Sequence, residues 1–438
     1  MTKLRLASSR AGAVVRRAMA AAGAVAGPAG PARPVGLSFL LMVAANAFGS
    51  PFLPVHARAL LVPDAAALPW LSEEMAAGLP ISVFWLAVAV AQLTTGAWER
   101  GRDHRVLLGL AMALATAGLA LAGLSGHILA LVLWRGVGGL GFGAAMILVQ
   151  DHLIRALGPQ ARTRASGLYL SLFFSGTIGG TLAGGALAGA VGFSATLLAA
   201  AALSAAGMLL TRLGPPHREA PASRDFRTVA VLRNRRLLGL ILFAAIPSRL
   251  INAGVVFYLI PLYLHDLGTA QGTIGWVVAI YSLILATTTN AWSRLIDRTG
   301  RPVLFTIAGA LLSAAAVLVI PAGWSGLWGA AAAVTLLGIA QAAGMSPQVT
   351  VLFEIAAEEM ERYGRTRLLG LYRVSERVGL FLGPMVAASL AGGLGYVPAL
   401  AALAGLMGSA GAALVVIFRP RRPAGAKPPG PATEGGLA

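Results

Sequence analysis

Arg162-Thr163-Arg164-Ala165-Ser166-Gly167-Leu168-Tyr169 returns, 203 residues later, as Arg365-Thr366-Arg367-Leu368-Leu369-Gly370-Leu371-Tyr372. Both octapeptides sit where a basic loop runs into an apolar stretch. The same offset carries Gly176 onto Gly379, Gly180 onto Gly383 and Asp151 onto Glu354. Nearer the start of each half, Phe52-Leu53-Pro54-Val55 answers Leu259-Ile260-Pro261-Leu262. Thr94-Thr95 with Ala97-Trp98 answers Thr288-Thr289 with Ala291-Trp292. One such match arises by chance; several in the same order mark a duplicated chain.

Around these repeats the chain is apolar. Of its 438 residues, 57% are hydrophobic and 11% charged, against about 25% charged in an ordinary soluble protein. Apolar runs of spanning length fall at 35–57, 74–98, 106–125, 128–150, 166–190 and 193–211, then at 237–264, 272–292, 302–321, 327–353, 367–391 and 395–418. Each is near the ~20 residues that cross a bilayer as a helix. Helices satisfy their own backbone groups in lipid, and the alternating ten-residue segments of a barrel are absent. The expected fold is an all-α membrane protein with twelve transmembrane helices in two pseudo-symmetric six-helix bundles. The expected organisation is a basic tail without fixed structure at 1–34, a first bundle at 35–212, a basic linker at 213–236, a second bundle at 237–419 and a Pro/Gly-rich tail at 420–438. Duplicated six-span units of this kind are built around a binding site near the midplane between them.

The net charge of +18 points to orientation and not to nucleic acid. With both termini in the cytoplasm, 29 of the 34 lysines and arginines lie in cytoplasmic segments, one (Arg58) lies outside, and Arg135, Arg249, Arg373 and Arg377 lie inside spans. That split is a positive-inside pattern and predicts a multi-pass protein with both termini cytoplasmic; the alanine-rich, arginine-over-lysine usage points to a bacterial inner membrane. The absence of cysteine excludes disulfides, thiolate metal sites and cysteine nucleophiles. No H-E-x-x-H or P-loop pattern occurs, so no metal, cofactor or ATP site is expected, and no enzyme activity.

Several motifs resemble those of the major facilitator superfamily over about residues 35–420. Asp297-Arg298-Thr299-Gly300-Arg301, after span 8, is similar to the loop signature D-R-x-G-R. The first-half counterpart, Gly96 to Arg105, is degenerate and one residue short, with Glu99-Arg100 nearest the Asp-Arg pair. Arg135, Gly139 and Gly141 follow R-x-x-x-G-x-G. Gly176-x-x-x-Gly180-Thr181-x-x-Gly184-Gly185 resembles G-x-x-x-G-P-x-x-G-G with Thr181 in the proline position, and the proline stands instead at Pro384. The resemblance implies alternating access, a cavity lined by span 7, a proton-coupling role for Arg135, and cytoplasmic gate contacts among Asp151, Arg155, Glu354, Glu99, Arg100, Asp297, Arg298 and Arg301.

Charges inside spans cost about 2.5–3.5 kcal/mol each and demand a partner or a task. Arg249 lies near the middle of span 7, after Pro247 and close to Asn252; it contacts substrate or pairs with a carboxylate of the second half. Arg373 and Glu376 are i,i+3 neighbours able to pair locally, and Arg377 points elsewhere. Glu376 is the one carboxylate deep in a span, and hence the expected proton site or the centre of a structural ion cluster. Arg249, Asn252, Arg377, Asn46 and Tyr258 are the candidate substrate contacts, and Glu376 and Arg135 the candidate proton-coupling pair. Four interior arginines against one glutamate favour anions. The expected partners are a small anionic molecule and the lipid bilayer, with a monomeric protein. The expected function is proton-coupled secondary active transport of a small organic anion or an anionic chelate; proton-coupled efflux of amphipathic compounds and a transporter-like sensor or scaffold are the alternatives. The glycine stripe Gly176, Gly180, Gly184 is either tight packing or a sliding surface between halves.

Overall fold

The computed structural model describes residues 32–61, 69–99, 102–157, 161–212 and 234–419. The expected tails, most of the linker and Arg100 therefore lie outside the described residues. The first set of helices is α1 (Ala32–Ala47), α2 (Leu53–Leu61), α3 (Glu73–Trp98), α4 (His104–Gly123), α5 (Ile128–Leu157), α6 (Arg162–Val191) and α7 (Phe193–Thr211). The second set is α8 (Arg235–Asp266), α9 (Gln271–Thr299), α10 (Pro302–Val317), α11 (Gly326–Met345), α12 (Gln348–Ile355), α13 (Ala357–Tyr363), α14 (Arg365–Leu394) and α15 (Tyr396–Ile417). Ten helices among the described residues are long and apolar enough to cross a membrane, and Ala32–Ala47 and Pro302–Val317 are shorter apolar helices. Among the described residues the fold is all-helical, in the twelve-span arrangement expected.

The helices run up and down, so one face carries Ala32 and the end of α15 (the termini face), and the opposite one is the far face. Within the first set α3 and α4 pack on α5, and α1 on α6 and α7; within the second, α9 and α10 pack on α11, and α14 on α8. The two sets meet along α3 with α14 and along α6 with α9.

Small residues set these approaches. A Cβ on Gly180 would lie 2.1 Å from the Ala44 carbonyl oxygen, and one on Gly184 2.1 Å from that of Phe48. Gly379 and Gly383 do the same against Ile246 and Leu250 of α8, at 2.4 and 2.5 Å. Both stripes are therefore packing faces inside their own sets, and not a sliding surface between halves. The crossing between sets uses the neighbouring Gly185, whose added Cβ would stand 2.8 Å from Gly275 Cα.

Helix α8 is not regular. Ile241–Ala245 and Asn252–Leu259 are π-helical, with Ile246 N–H bonded to the Ile241 carbonyl and Ile260 N–H to that of Val255. Each widened stretch leads into a proline, Pro247 and Pro261. A proline has no N–H to donate, and its ring crowds the carbonyl four residues back. A wider turn absorbs both effects. Between the two stretches a short regular segment presents Arg249.

Candidate functional site

Arg249 reaches across to α14. Its Nε and Nη2 donate to Glu376 Oε1 at 2.9 and 2.5 Å, and Arg373 Nη1 donates to Glu376 Oε2 at 2.9 Å. Glu376 is 4% exposed, so its desolvation is met by three charge-assisted hydrogen bonds that occupy both oxygens. Arg377 lies about 100° round the helix from Glu376, and its side chain reaches α3 of the first set. Its Nε donates to Gln92 Oε1 on α3 at 3.2 Å, and its guanidinium lies 5.2 Å from the Trp85 ring centroid. Tyr169 of α6 is within electrostatic reach of both Arg373 and Arg377. Arg377 thus carries this second-set group of three arginines and one glutamate against Trp85 and Gln92 of the first. The side chain of Arg373 is 52% exposed, which leaves this group open to water.

Neutral amides and phenols hold the surroundings. Tyr281 donates to Gln341 Oε1 at 2.6 Å, and the Gln341 amide donates to the Ser248 carbonyl at 3.1 Å, one residue before Arg249. Asn252 is buried and hydrogen-bonded with Tyr281. Tyr372 donates to Gln348 Oε1 at 2.5 Å.

Arg135 and Asn46 form a separate site inside the first set. Arg135 Nη2 donates to Asn46 Oδ1 at 3.2 Å, the guanidinium sits 4.4 Å from the Phe84 ring centroid, and Nε is buried without a partner. Beside it Met42, Ala115, Leu119, Gly138 and Phe142 enclose a cavity of about 10 Å³, about the room one water needs. The expected tally of four arginines in one cavity is therefore corrected. The group between the sets holds three arginines against Glu376, a net charge of +2 and not +3, because Arg135 is turned into its own set.

At the far face the two sets are tied together. Both Nη atoms of Arg58 donate to the Asp266 carboxylate, Nη1 over 3.0 Å. Tyr396 donates to the same carboxylate at 2.5 Å and accepts from Arg58 at 3.1 Å. Gln271 donates to the Pro51 carbonyl at 2.7 Å. Tyr258, expected at the substrate site, is corrected to this seam: it is fully buried, and its hydroxyl donates to the Glu74 carbonyl at 2.8 Å. Asp266 and Tyr396 were not singled out from the sequence. The available signal was Arg58, the lone basic residue of the far-face segments. Gln92, Gln341 and Gln348 were also missed, though each is an amide inside an apolar run.

At the termini face Glu99, after α3, lies 2.8 Å from His104 Nδ1 of α4 and accepts from Arg155 of α5 at 3.2 Å. Arg155 also pairs with Asp151, and the His104 and His152 rings stack at 5.9 Å. The hydrogen bond from His104, with the charges of His104 and Arg155, holds the Glu99 carboxyl below its ordinary pKa against the opposing effect of burial. Ligating atoms of Glu99, His104 and Asp151 fall within 4.8 Å of one another, but the Arg155 guanidinium already supplies the cation. The expected gate contacts are only partly brought together. Glu99, Asp151 and Arg155 join within the first set. Glu354, Asp297, Arg298 and Arg301 are exposed and form no ion pair among the described residues. Nor does any ion pair among the described residues cross between the sets at this face.

The family model of the Major Facilitator Superfamily matches residues 35–268 and 241–437. An uncharacterized MFS-type transporter of Escherichia coli, YcaD, is 26% identical over 332 residues, 73% of this chain and 82% of its own. The human organic anion transporter MFSD10 superposes with a TM-score of 0.60 at 20% identity, over 87% of this chain and 98% of that one. A bacterial homologue of the human lysosomal transporter Spinster, inward-facing and occupied, gives 0.67 at 16% identity, over 88% and 94%.

Proposed function

The chain belongs to the major facilitator superfamily, and we propose on that premise that it is a secondary active transporter of a small organic anion, working by alternating access and coupled to protons. The observation that carries the anion reading is the group between the sets, where Arg249, Arg373 and Arg377 face a single carboxylate. A low-dielectric cleft with that balance attracts anions and repels cations. Glu376 is the coupling site: the substrate binds while its carboxylate is ionised, and a proton taken up there afterwards loosens its hold on Arg249 and Arg373. The units that rock are residues 35–212 and 237–419, and the far-face ties make this the state open toward the termini face. Positive-inside charge puts that face in the cytoplasm of a bacterial inner membrane, with the protein a monomer.

The test uses purified protein in detergent and in proteoliposomes. An anion present at a hundred times its dissociation constant stabilises the fold by about 2.7 kcal/mol. Thermal shifts with anionic metabolites, and none with lipophilic cations, are expected. Glu376→Gln should keep counterflow of a stabilising anion and lose its accumulation under a pH gradient. Shifts with lipophilic cations alone, with proton-driven export, would replace this reading with efflux of amphipathic compounds.

A further inference from the structure

Resting on the anion reading above, we propose that the substrate carries two negative charges on one head, as a doubly ionised phosphate or a pair of neighbouring carboxylates, and that Arg377 is the residue that selects for the second charge. The argument starts from the pairing. Glu376 neutralises one charge, because Arg249 occupies its Oε1 and Arg373 its Oε2. Among the described residues Arg377 forms no ion pair with a carboxylate: its partners are the Gln92 amide and the Trp85 ring. A neutral amide at 3.2 Å and a ring face solvate a guanidinium without cancelling its charge. Two positive charges are left over where the two sets meet.

The placement of those charges adds a second, independent constraint. Arg373 and Arg377 are i,i+4 on α14, so their side chains leave the same helix face, and like charges at that spacing repel and destabilise the helix. Arg249 also lies within electrostatic reach of Arg377. One monoanion cannot offset both leftover charges. A dianion bridging Arg373 and Arg377 cancels the leftover charge and relieves the repulsion, and arginine's planar fork suits bidentate recognition of phosphate and carboxylate. Access fits as well: Arg373 is half exposed and Arg377 partly buried, which places the first contact at the wet end and the second deeper. Trp85, partly exposed beside Arg377, offers aromatic surface to the remainder of the molecule.

The experiment compares isosteres that differ in charge. Purified full-length protein is titrated at pH 7.5 with phenyl phosphate against phenyl sulfate, and with succinate against its monoamide, and dissociation constants are read from thermal stabilisation. Within either pair the dianion is expected to bind at least tenfold tighter, and the pair that shows the effect identifies the head group as phosphate or dicarboxylate. Arg377→Gln, which leaves all three bonds to Glu376 in place, should weaken the dianion more than the monoanion and cut that ratio below threefold, and Arg377→Lys should restore part of it. A ratio near one in the native protein, or one unchanged by Arg377→Gln, overturns the assignment while anion binding itself stands. Stabilisation by none of the four, with lipophilic cations effective, overturns the anion reading too.

Discussion

Replacing Asp266 with asparagine should open the far face. Arg58 belongs to the first set, and Asp266 and Tyr396 to the second, so all three bonds that Arg58 donates must break when the sets separate there, while the Tyr396–Asp266 bond stays within the second set. An exposed ion pair contributes only about 0.2–1 kcal/mol. This one is bidentate, is braced by the Tyr396 hydroxyl, and is only 23% and 36% exposed at its two side chains. Hydrogen bonds to charged groups contribute about 1.5–3 kcal/mol when buried. Discounted for partial solvation, Asp266→Asn should shift the closed-to-open balance by about 2 kcal/mol, or about 30-fold at 1.4 kcal/mol per decade. Tyr396→Phe, which removes only the hydroxyl, should shift it by about 1 kcal/mol, about fivefold. The chain has no cysteine, so spin labels at Leu124→Cys and Trp324→Cys, both exposed near the far face in opposite sets, report on the native background. Asp266→Asn should add a longer distance component, and Tyr396→Phe a smaller one. A distance distribution unmoved by Asp266→Asn in a folded protein would refute the claim that this triad closes the far face.

Two further predictions concern packing and pH. Gly185 and Gly180 are both tightly approached, but across different boundaries. Gly185→Val should leave thermal stability nearly unchanged, shift the same spin-label distance outward and abolish uptake, because only the contact between sets is overfilled. Gly180→Val should instead lower stability by at least the 1–3 kcal/mol usual for overpacking, because the Ala44 backbone is fixed within the first set; equal losses in both variants would contradict this division. Glu99, its pKa lowered by His104 and Arg155, binds fewer protons folded than unfolded, so its contribution is present above the unfolded value of about 4.3 and lost as pH falls through the lower folded one. The stability gap between the native protein and Glu99→Gln should therefore be constant from pH 7 to about 4.5 and shrink below it, and a gap that widens on acidification would reverse the sign argued here.

What was legible in the chain, and what was not, divides by the range of the interaction. The spans, their number and their duplication rest on local composition and on a repeat offset, and they appear in the fold with ends shifted by a few residues. The i,i+3 pairing of Arg373 with Glu376 is likewise a property of one helix. The partner of Arg249 is 127 residues away, that of Arg377 285, and that of Arg58 208. A sequence carries the charges at both ends of such pairs but not the geometry that selects among them. The glycine stripe shows the same limit: its period of four announces a close approach, and only the fold says that the neighbour is α1 and not the second set. Pro247 and Pro261 lack the N–H that a regular helix needs, yet the chain widens at each without breaking, because neighbours in the membrane leave no water to take up a freed carbonyl. That widening lies either side of Arg249, and the charged group between the sets depends on it. A regular helix through the same residues would gain about 100° of rotation for each residue absorbed by a π turn. Arg249 would then leave Glu376 with Arg373 alone, and a buried carboxylate deprived of one of two partners is costly. The two prolines are thus part of the site, though neither touches it.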